Sequence, residues 1–303
     1  MLYTKFYNFT PKNKPTQEGL TSHLKTKETD GLLLYMAKSL ILRFFKDDIG
    51  SSAAALSYYL LFSFFPFLIF LNLLLAQFNI SGPMLEGWGQ AFLPKEVLDL
   101  ATRYLRHLSS VRSLAFLIVG LFVALYSITR AVNSLNGAIN RAYRITEPRP
   151  AVAAYILSGV LTIFLFVMVF LSFILITLGG RALEELLTTF PFLGLSMEVW
   201  AAVRWGSMGT VYLLTLCIFY YSMPYMHISF RSVLPGAITA GVGLIVASFG
   251  FSVYVDYIAS FSVVYGSLGA IIVFMLWLYI TSTIMIIGGE LNHSLLCYKK
   301  RKG

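Results

Sequence analysis

Six stretches of about twenty mostly apolar residues follow one another along the chain, and they limit what the chain can fold into. They lie at about 52–76, 113–135, 153–178, 200–221, 234–258 and 268–290. Each stretch, as a helix rising about 1.5 Å per residue, is long enough to cross a hydrocarbon core of roughly 30 Å. Hydrophobic residues make up 57% of the chain and charged residues only 12%. A chain with so few charged residues cannot cover the surface of a water-soluble globular protein. The sequence therefore predicts an all-α, polytopic membrane protein with six transmembrane helices.

The distribution of Lys and Arg predicts how the helices are oriented. Seventeen of the 23 basic residues lie in the N-terminal segment, in the loops after the second and fourth stretches, or in the C-terminal tail. The positive-inside rule assigns these segments to the cytosol. Both termini are therefore predicted to be cytosolic, in agreement with an even number of spans. Because the net charge of +9 is largely explained by topology, nucleic acid is not expected as a partner.

Two amphipathic segments outside the six stretches predict interfacial helices. Residues 32–46 have an apolar face and an opposite face that carries Lys38, Arg43 and Lys46. This pattern predicts a helix in the cytosolic interface with its basic face toward anionic lipid headgroups. Residues 94–108 repeat apolar residues at helical spacing, which predicts a second interfacial helix on the outer side.

The chain divides by composition into three parts. Residues 1–31 are polar, lack the apolar region of a signal peptide and are predicted to be a disordered cytosolic tail. Residues 32–295 are expected to form the six-helix membrane domain with its N-terminal interfacial helix. Residues 296–303 are expected to form a basic cytosolic tail.

Four charged residues lie close to the apolar stretches: Arg130, Arg204, Asp256 and Glu290. The predicted topology places Arg130 and Glu290 at the inner level, and Arg204 and Asp256 at the outer level. An unpaired charge in the hydrocarbon costs several kcal/mol, so we predict the ion pairs Arg130–Glu290 and Arg204–Asp256. Structural locking and a hydrated pathway would both produce this pattern.

Pro66 lies in the middle of the first stretch and predicts a kink or local unwinding of its helix. Interrupted helices mark midplane sites in many transporters, but proline is also tolerated in a span as a fixed bend. The second stretch continues into a polar segment, residues 128–144, which places Arg130 and Asn133 on one basic, amide-rich helix face. Phosphate headgroups, a soluble partner and water are all candidates for what this face meets.

Small residues predict close helix packing at two places. In the fifth stretch they recur at steps of four and three and form one stripe. They are Gly236, Ala240, Gly243, Ala247 and Gly250. In the sixth stretch, Gly288 and Gly289 remove side-chain bulk just before Glu290. A neighbouring helix is expected to approach there, and the second helix with Arg130 is the predicted neighbour.

The sequence lacks the motifs of common enzyme and metal sites. It has no HExxH, no CxxC, no Walker A loop and no GxSxG elbow. Cys217 and Cys297 lie far apart in the chain and do not suggest a disulfide or metal framework. We therefore expect a protein that is not an enzyme and that holds no cofactor and no metal.

Several motifs together resemble the YihY/BrkB family of bacterial inner-membrane proteins. They are Asp48 through Pro66, Leu135-Asn136, Leu234-Pro-Gly236, Tyr265 through Ala270, and Gly288-Gly-Glu-Leu-Asn292. The resemblance covers about residues 33–295 and implies a six-span protein of the inner membrane. The family has carried the label ribonuclease BN, and members have been linked to serum resistance and envelope properties. RNA hydrolysis needs an acid and base pair or metal ions, which these residues do not offer, so we treat the label as a mislabel.

Two classes of function follow from these features. The first is a secondary transporter or flippase-like protein for a lipid or amphipathic envelope component, which would also meet anionic headgroups on the cytosolic side. The second is a non-catalytic membrane scaffold or envelope assembly factor. A membrane-embedded enzyme is a third interpretation without an identifiable site, and a homo-oligomer stays open. The candidate pathway or ion-pair residues are Pro66, Arg130, Asn133, Asn136, Arg204, Asp256 and Glu290.

Overall fold

Every regular element that the computed structural model describes is an α-helix. The described residues are 32–77, 114–145, 149–189, 197–257 and 267–302. The helices are α1 (Leu32–Lys46), α2 (Ile49–Gln77), α3 (Leu114–Ala142), α4 (Ala151–Thr189), α5 (Met197–Ser222), α6 (Phe230–Tyr257) and α7 (Ser267–Lys302). The predicted tail at 1–31 and the predicted outer helix at 94–108 lie outside the described residues.

The helices α2 to α7 occupy the positions of the six predicted spans. Within the described residues, five of them are long and apolar enough to cross a membrane, namely α2, α3, α4, α6 and α7. The remaining helix, α5, has 26 residues but is not among these five. The chain is therefore a membrane protein with several apolar helices, whereas the count of six spans and the cytosolic placement of the termini stay predictions.

The contacts among the six helices α2 to α7 form a closed cycle. Each helix packs against the next along the chain, and α7 returns to pack against α2. The last helix also contacts α3 across the bundle and α1 at its end. Ile139, Tyr220 and Met223 are fully buried in the core between them. This arrangement makes α7 the helix that meets most of the others.

The starts of α2 and α6 and the ends of α3, α5 and α7 lie together, because alternating helices run in opposite directions. We call this the basic end of the bundle. Hydrogen bonds between elements at this end include Arg141 Nη2 to Ser52 Oγ (2.9 Å), Asn140 Nδ2 to the Met223 carbonyl (3.1 Å) and the Gly236 N–H to Asn292 Oδ1 (2.7 Å). The segment predicted as a C-terminal tail continues α7 as helix to Lys302.

The short helix α1 docks against α7 with part of its polar face turned inward. Arg43 is only 9% exposed, whereas the apolar side chain of Phe45 is 79% exposed. The prediction that Arg43 faces lipid headgroups is therefore wrong. The physical reason is that a buried carboxylate on α7 offers this guanidinium a direct partner. Lys38 and Lys46 on the same helix remain exposed, as predicted.

Candidate functional site

A buried ion pair joins α1 to α7 at the basic end. Arg43 Nη1 donates to Glu290 Oε2 at 2.9 Å, and Glu290 is 1% exposed. Arg43 Nη1 also lies 2.8 Å from His293 Nδ1, and Arg43 Nε donates to Ser39 Oγ at 3.2 Å. The Ser39 and Ser294 hydroxyls are 3.3 Å apart. These additional hydrogen bonds offset part of the desolvation cost that a buried ion pair carries.

The contact between Arg43 and His293 fixes the protonation of the imidazole. A guanidinium has donors and no acceptor, so His293 Nδ1 must accept this hydrogen bond. The ring proton then lies on Nε2, which is 3.4 Å from Cys297 Sγ. The Arg43 guanidinium therefore donates both to the Glu290 carboxyl group and to an unprotonated Nδ1 of His293.

Tyr143 borders the ion pair, and its hydroxyl has no partner in the part of the chain that the structure describes. The Tyr143 ring lies 5.2 Å from the His293 ring, and Tyr143 is 4% exposed. Burial, and next the charge of Glu290, raise the pKa of the Tyr143 phenol, so this group stays protonated. Asp47 Oδ2, the Tyr143 hydroxyl and the Nδ2 group of Asn292 are buried atoms at this end without a described partner. A buried polar atom without a hydrogen-bond partner lowers the stability of the folded protein, so a purely structural role does not explain the cluster well.

Glycines let three helices approach α7 beside Glu290. A Cβ added at Gly288 would lie 2.5 Å from the Tyr220 hydroxyl and 2.8 Å from the Gly236 carbonyl. A Cβ added at Gly289 would collide with Ile139 of α3. The predicted approach of the second-span helix is thus present, but Ile139 makes the contact rather than Arg130.

The small-residue stripe of α6 packs closely at its basic-end half. A Cβ at Gly243 would lie 3.1 Å from Ile284 of α7, whereas nothing lies within 4 Å of one at Gly250. The prediction of tight packing therefore holds for the first half of the stripe, and Gly250 is exposed.

The predicted pair between Arg130 and Glu290 is wrong. Arg130 Nη1 donates to the Tyr155 hydroxyl at 2.7 Å, and Arg130 Nε donates to the Tyr126 hydroxyl at 3.3 Å. Arg130 precedes Ile139 by nine residues, which is about two and a half turns and places the two on opposite sides of α3. Because Ile139 faces Glu290's neighbour Gly289, Arg130 faces away from the ion pair.

Of the remaining predicted residues, Pro66 and Asn133 lie on different helices, α2 and α3. The helix α2 is continuous through Pro66, so it contains no unwound segment there. Asn133 accepts a hydrogen bond from Ser158 of α4 at 3.3 Å. Arg204 and Asp256 lie in α5 and α6, but their side chains are outside the described part. Their pairing stays a prediction.

Asn136 and Asn140 form an amide network that holds the segment after α5. Asn136, 4% exposed, accepts from Asn140 Nδ2 at 2.7 Å. The same Nδ2 donates to the Met223 carbonyl at 3.1 Å, and Asn140 Oδ1 accepts from the Tyr225 N–H at 3.0 Å. One side chain on α3 thereby satisfies both a backbone acceptor and a backbone donor of this segment.

Replacing Asn140 with Ala will loosen the segment that contains Tyr225. A lost hydrogen bond of about 1.4 kcal/mol corresponds to a tenfold change in an opening equilibrium, so we expect amide exchange at Tyr225 to rise about tenfold. Hydrogen exchange read by mass spectrometry measures this. Asn133→Ala is the matched control, because its partner lies on α4 instead. Equal exchange at Tyr225 in both variants would show that Asn140 does not hold the segment.

Sequence reasoning missed Arg43, which supplies the cation of the buried pair. A basic residue on an amphipathic helix has the same pattern whether it meets lipid headgroups or a buried carboxylate. The available signal was the spacing of Ser39 and Arg43, which are four residues apart and share a helix face.

Comparison with known proteins gives a consistent result over most of the chain. A protein-family model described as "Virulence factor BrkB" matches residues 40–302. The ribonuclease-like protein YfkH of Bacillus subtilis is 34% identical over 266 residues, which cover 88% of this chain and 96% of YfkH. UPF0761 membrane proteins of Chromohalobacter salexigens and Alcanivorax borkumensis are 24% and 27% identical over 86% and 87% of this chain. The chain spans 63% and 61% of the length of those two proteins. No solved structure is significantly similar to the chain.

Proposed function

Because the chain belongs to the BrkB family of membrane proteins, we propose that it is a secondary transporter or flippase-like protein for a lipid or amphipathic envelope component. The proposal rests on the buried pair of Arg43 and Glu290 between α1 and α7. The ribonuclease-like name belongs to the relative YfkH, and no step of RNA hydrolysis is part of this proposal.

A buried ion pair stabilises a contact between two helices no better than apolar side chains do. Replacing a buried ion pair with apolar side chains of similar volume is often neutral or stabilising. Charges in membrane segments are accordingly rare and tend to mark functional sites. A pair such as Arg43–Glu290 has a clearer use at a contact that opens, because both charges can be rehydrated when the helices separate.

The helix α1 is suited to be the part that moves. Its 15 residues span about 22 Å, which is less than the hydrocarbon core, so it can leave α7 without disturbing a span. Its apolar side chains Ile41 and Phe45 are 63% and 79% exposed and can stay in contact with lipid during the movement. In this proposal the separation of α1 from α7 exposes Glu290 and opens a polar route for a headgroup at the basic end.

A scaffold or envelope assembly factor is the second candidate, and the packing of the core favours it. Ile139, Tyr220 and Met223 are fully buried in the core of the bundle, and Tyr220 donates to the Met285 carbonyl of α7 at 2.6 Å. A densely filled junction of this kind resists rearrangement. The two candidates differ in whether α1 must separate from α7 for function.

A reversible cross-link between α1 and α7 tests the transport proposal. The Ser39 and Ser294 hydroxyls lie 3.3 Å apart, so Ser39→Cys with Ser294→Cys is expected to form a disulfide. Cys217→Ala and Cys297→Ala provide the background. The full chain is reconstituted in vesicles of phosphatidylethanolamine and phosphatidylglycerol with a headgroup-labelled lipid, and quenching of the outer leaflet follows lipid exchange.

We expect the background protein to accelerate exchange at least about tenfold over protein-free vesicles. Oxidation of the Ser39→Cys/Ser294→Cys protein should abolish the acceleration, and reduction should restore it. The Ser39→Cys single variant is the matched control and should be insensitive to oxidant. Exchange no faster than in protein-free vesicles, or unaffected by the cross-link, would contradict the proposed gate and favour the scaffold.

A further inference from the structure

Arg130 lies at the end of an exposed apolar stripe on α3 that contains Phe122 and Tyr126. Phe122 and Tyr126 of this stripe are 67% and 61% exposed, and they share a helix face with Arg130 at steps of four. The neighbouring face of α4 presents Ile156, which is 63% exposed. Because large apolar side chains exposed on a membrane protein face lipid tails, Arg130 lies at the level where the lipid-facing surface changes from apolar to polar.

The guanidinium of Arg130 is fixed by two tyrosines on different helices. It donates to Tyr155 at 2.7 Å and to Tyr126 at 3.3 Å. Its Cζ lies 5.8 Å and 5.6 Å from the centroids of the same two rings. Across the described ranges, no carboxylate forms an ion pair with Arg130, and Nη2 has no hydrogen-bond partner. The positive charge is therefore positioned but not neutralised by the described side chains.

The two phenols add donors that converge beside the cation. A hydroxyl that accepts a hydrogen bond from a guanidinium still carries its own proton. Tyr126 and Tyr155 can therefore each donate a hydrogen bond to a third group, next to the free Nη2 of Arg130. One cation and two O–H donors around one point match the oxygens of a phosphate, which favours charge-assisted hydrogen bonds of this type.

We propose that Tyr126, Arg130 and Tyr155 bind the phosphate of an anionic phospholipid between α3 and α4. The exposed side chains of Phe122 and Ile156 lie where the lipid's acyl chains would pack. A lipid is favoured over a soluble phosphate because the donors border an apolar, lipid-facing surface. The site is distinct from the Arg43–Glu290 pair and does not depend on the transport proposal.

Native mass spectrometry of the purified full chain tests this site. In detergent containing equal amounts of phosphatidylglycerol and phosphatidylcholine, we expect the protein to retain phosphatidylglycerol at least about fivefold more. Arg130→Gln should reduce the preference to about onefold. Arg231→Gln is the matched control, because Arg231 is an exposed arginine near the start of α6 and lies outside the proposed site.

A second variant separates the hydroxyls from the charge and from folding. Tyr126→Phe with Tyr155→Phe keeps both rings and Arg130 but removes the O–H donors, and it should lower retention at least threefold. If neither this variant nor Arg130→Gln retains less phosphatidylglycerol than the unmodified protein, the proposed site is wrong. Displacement of phosphatidylglycerol by millimolar inorganic phosphate would also overturn the proposal, because the ligand would then be a free anion rather than a lipid.

Discussion

Replacing Glu290 with Gln will lower the free energy of unfolding by about 3–5 kcal/mol. Gln keeps the size and a hydrogen-bond acceptor of the side chain but removes its charge. Arg43, 9% exposed, is then left as a buried cation without its counter-ion, and breaking one side of a buried pair typically has this cost. Unfolding of the full chain in mixed micelles with increasing denaturing detergent measures the change.

Double substitutions identify the partner of Glu290. Arg43→Leu with Glu290→Leu removes both charges together and should recover most of the stability lost by either single change. Arg130→Gln with Glu290→Gln should be additive within about 0.5 kcal/mol, because side chains without a shared contact behave independently. If Glu290 is coupled more strongly to Arg130 than to Arg43, the observed pairing is contradicted and the pair expected from the sequence is restored.

Replacing Gly236 with Ala will be the most damaging single-methyl change in α6, with a loss of about 1–3 kcal/mol in the free energy of unfolding. A Cβ at this position would collide with the Gly288 carbonyl and lie 2.5 Å from the side-chain amide of Asn292. The carbonyl belongs to the backbone of α7, so the two helices must move apart. The same separation would weaken the Gly236 N–H bond to Asn292 Oδ1 (2.7 Å).

Gly250→Ala is the matched control for Gly236→Ala. It makes the same chemical change in the same helix, but nothing lies within 4 Å of its added Cβ. Because Ala favours helix over Gly by up to about 1 kcal/mol, Gly250→Ala should leave stability unchanged or raise it slightly. Gly289→Ala should fall between them, since its Cβ would collide with the end of the Ile139 side chain and not with backbone. Equal unfolding free energies for the Gly236 and Gly250 variants would show that α6 and α7 are less closely packed than described.

The candidate site was predicted only in part, and α7 shows why. The sequence identified Glu290 as a charge that needs a partner and Gly288 and Gly289 as a point of close helix approach, because both properties depend on residue type at a given depth. It did not identify Arg43 as the partner. That assignment depends on which side of each helix faces the bundle, and a rotation of one residue, about 100°, exchanges one partner for another.

The sequence by itself determined the helical class, the positions of the apolar helices and the residues whose burial requires a partner. These follow from local composition, because a span in lipid must satisfy its backbone internally and expose apolar side chains. Only the tertiary structure decided that α1 turns Arg43 toward Glu290 while Arg130 turns toward Tyr126 and Tyr155. The physical reason is that helices apolar on most sides carry little information about their own rotation, which is set by packing between distant segments.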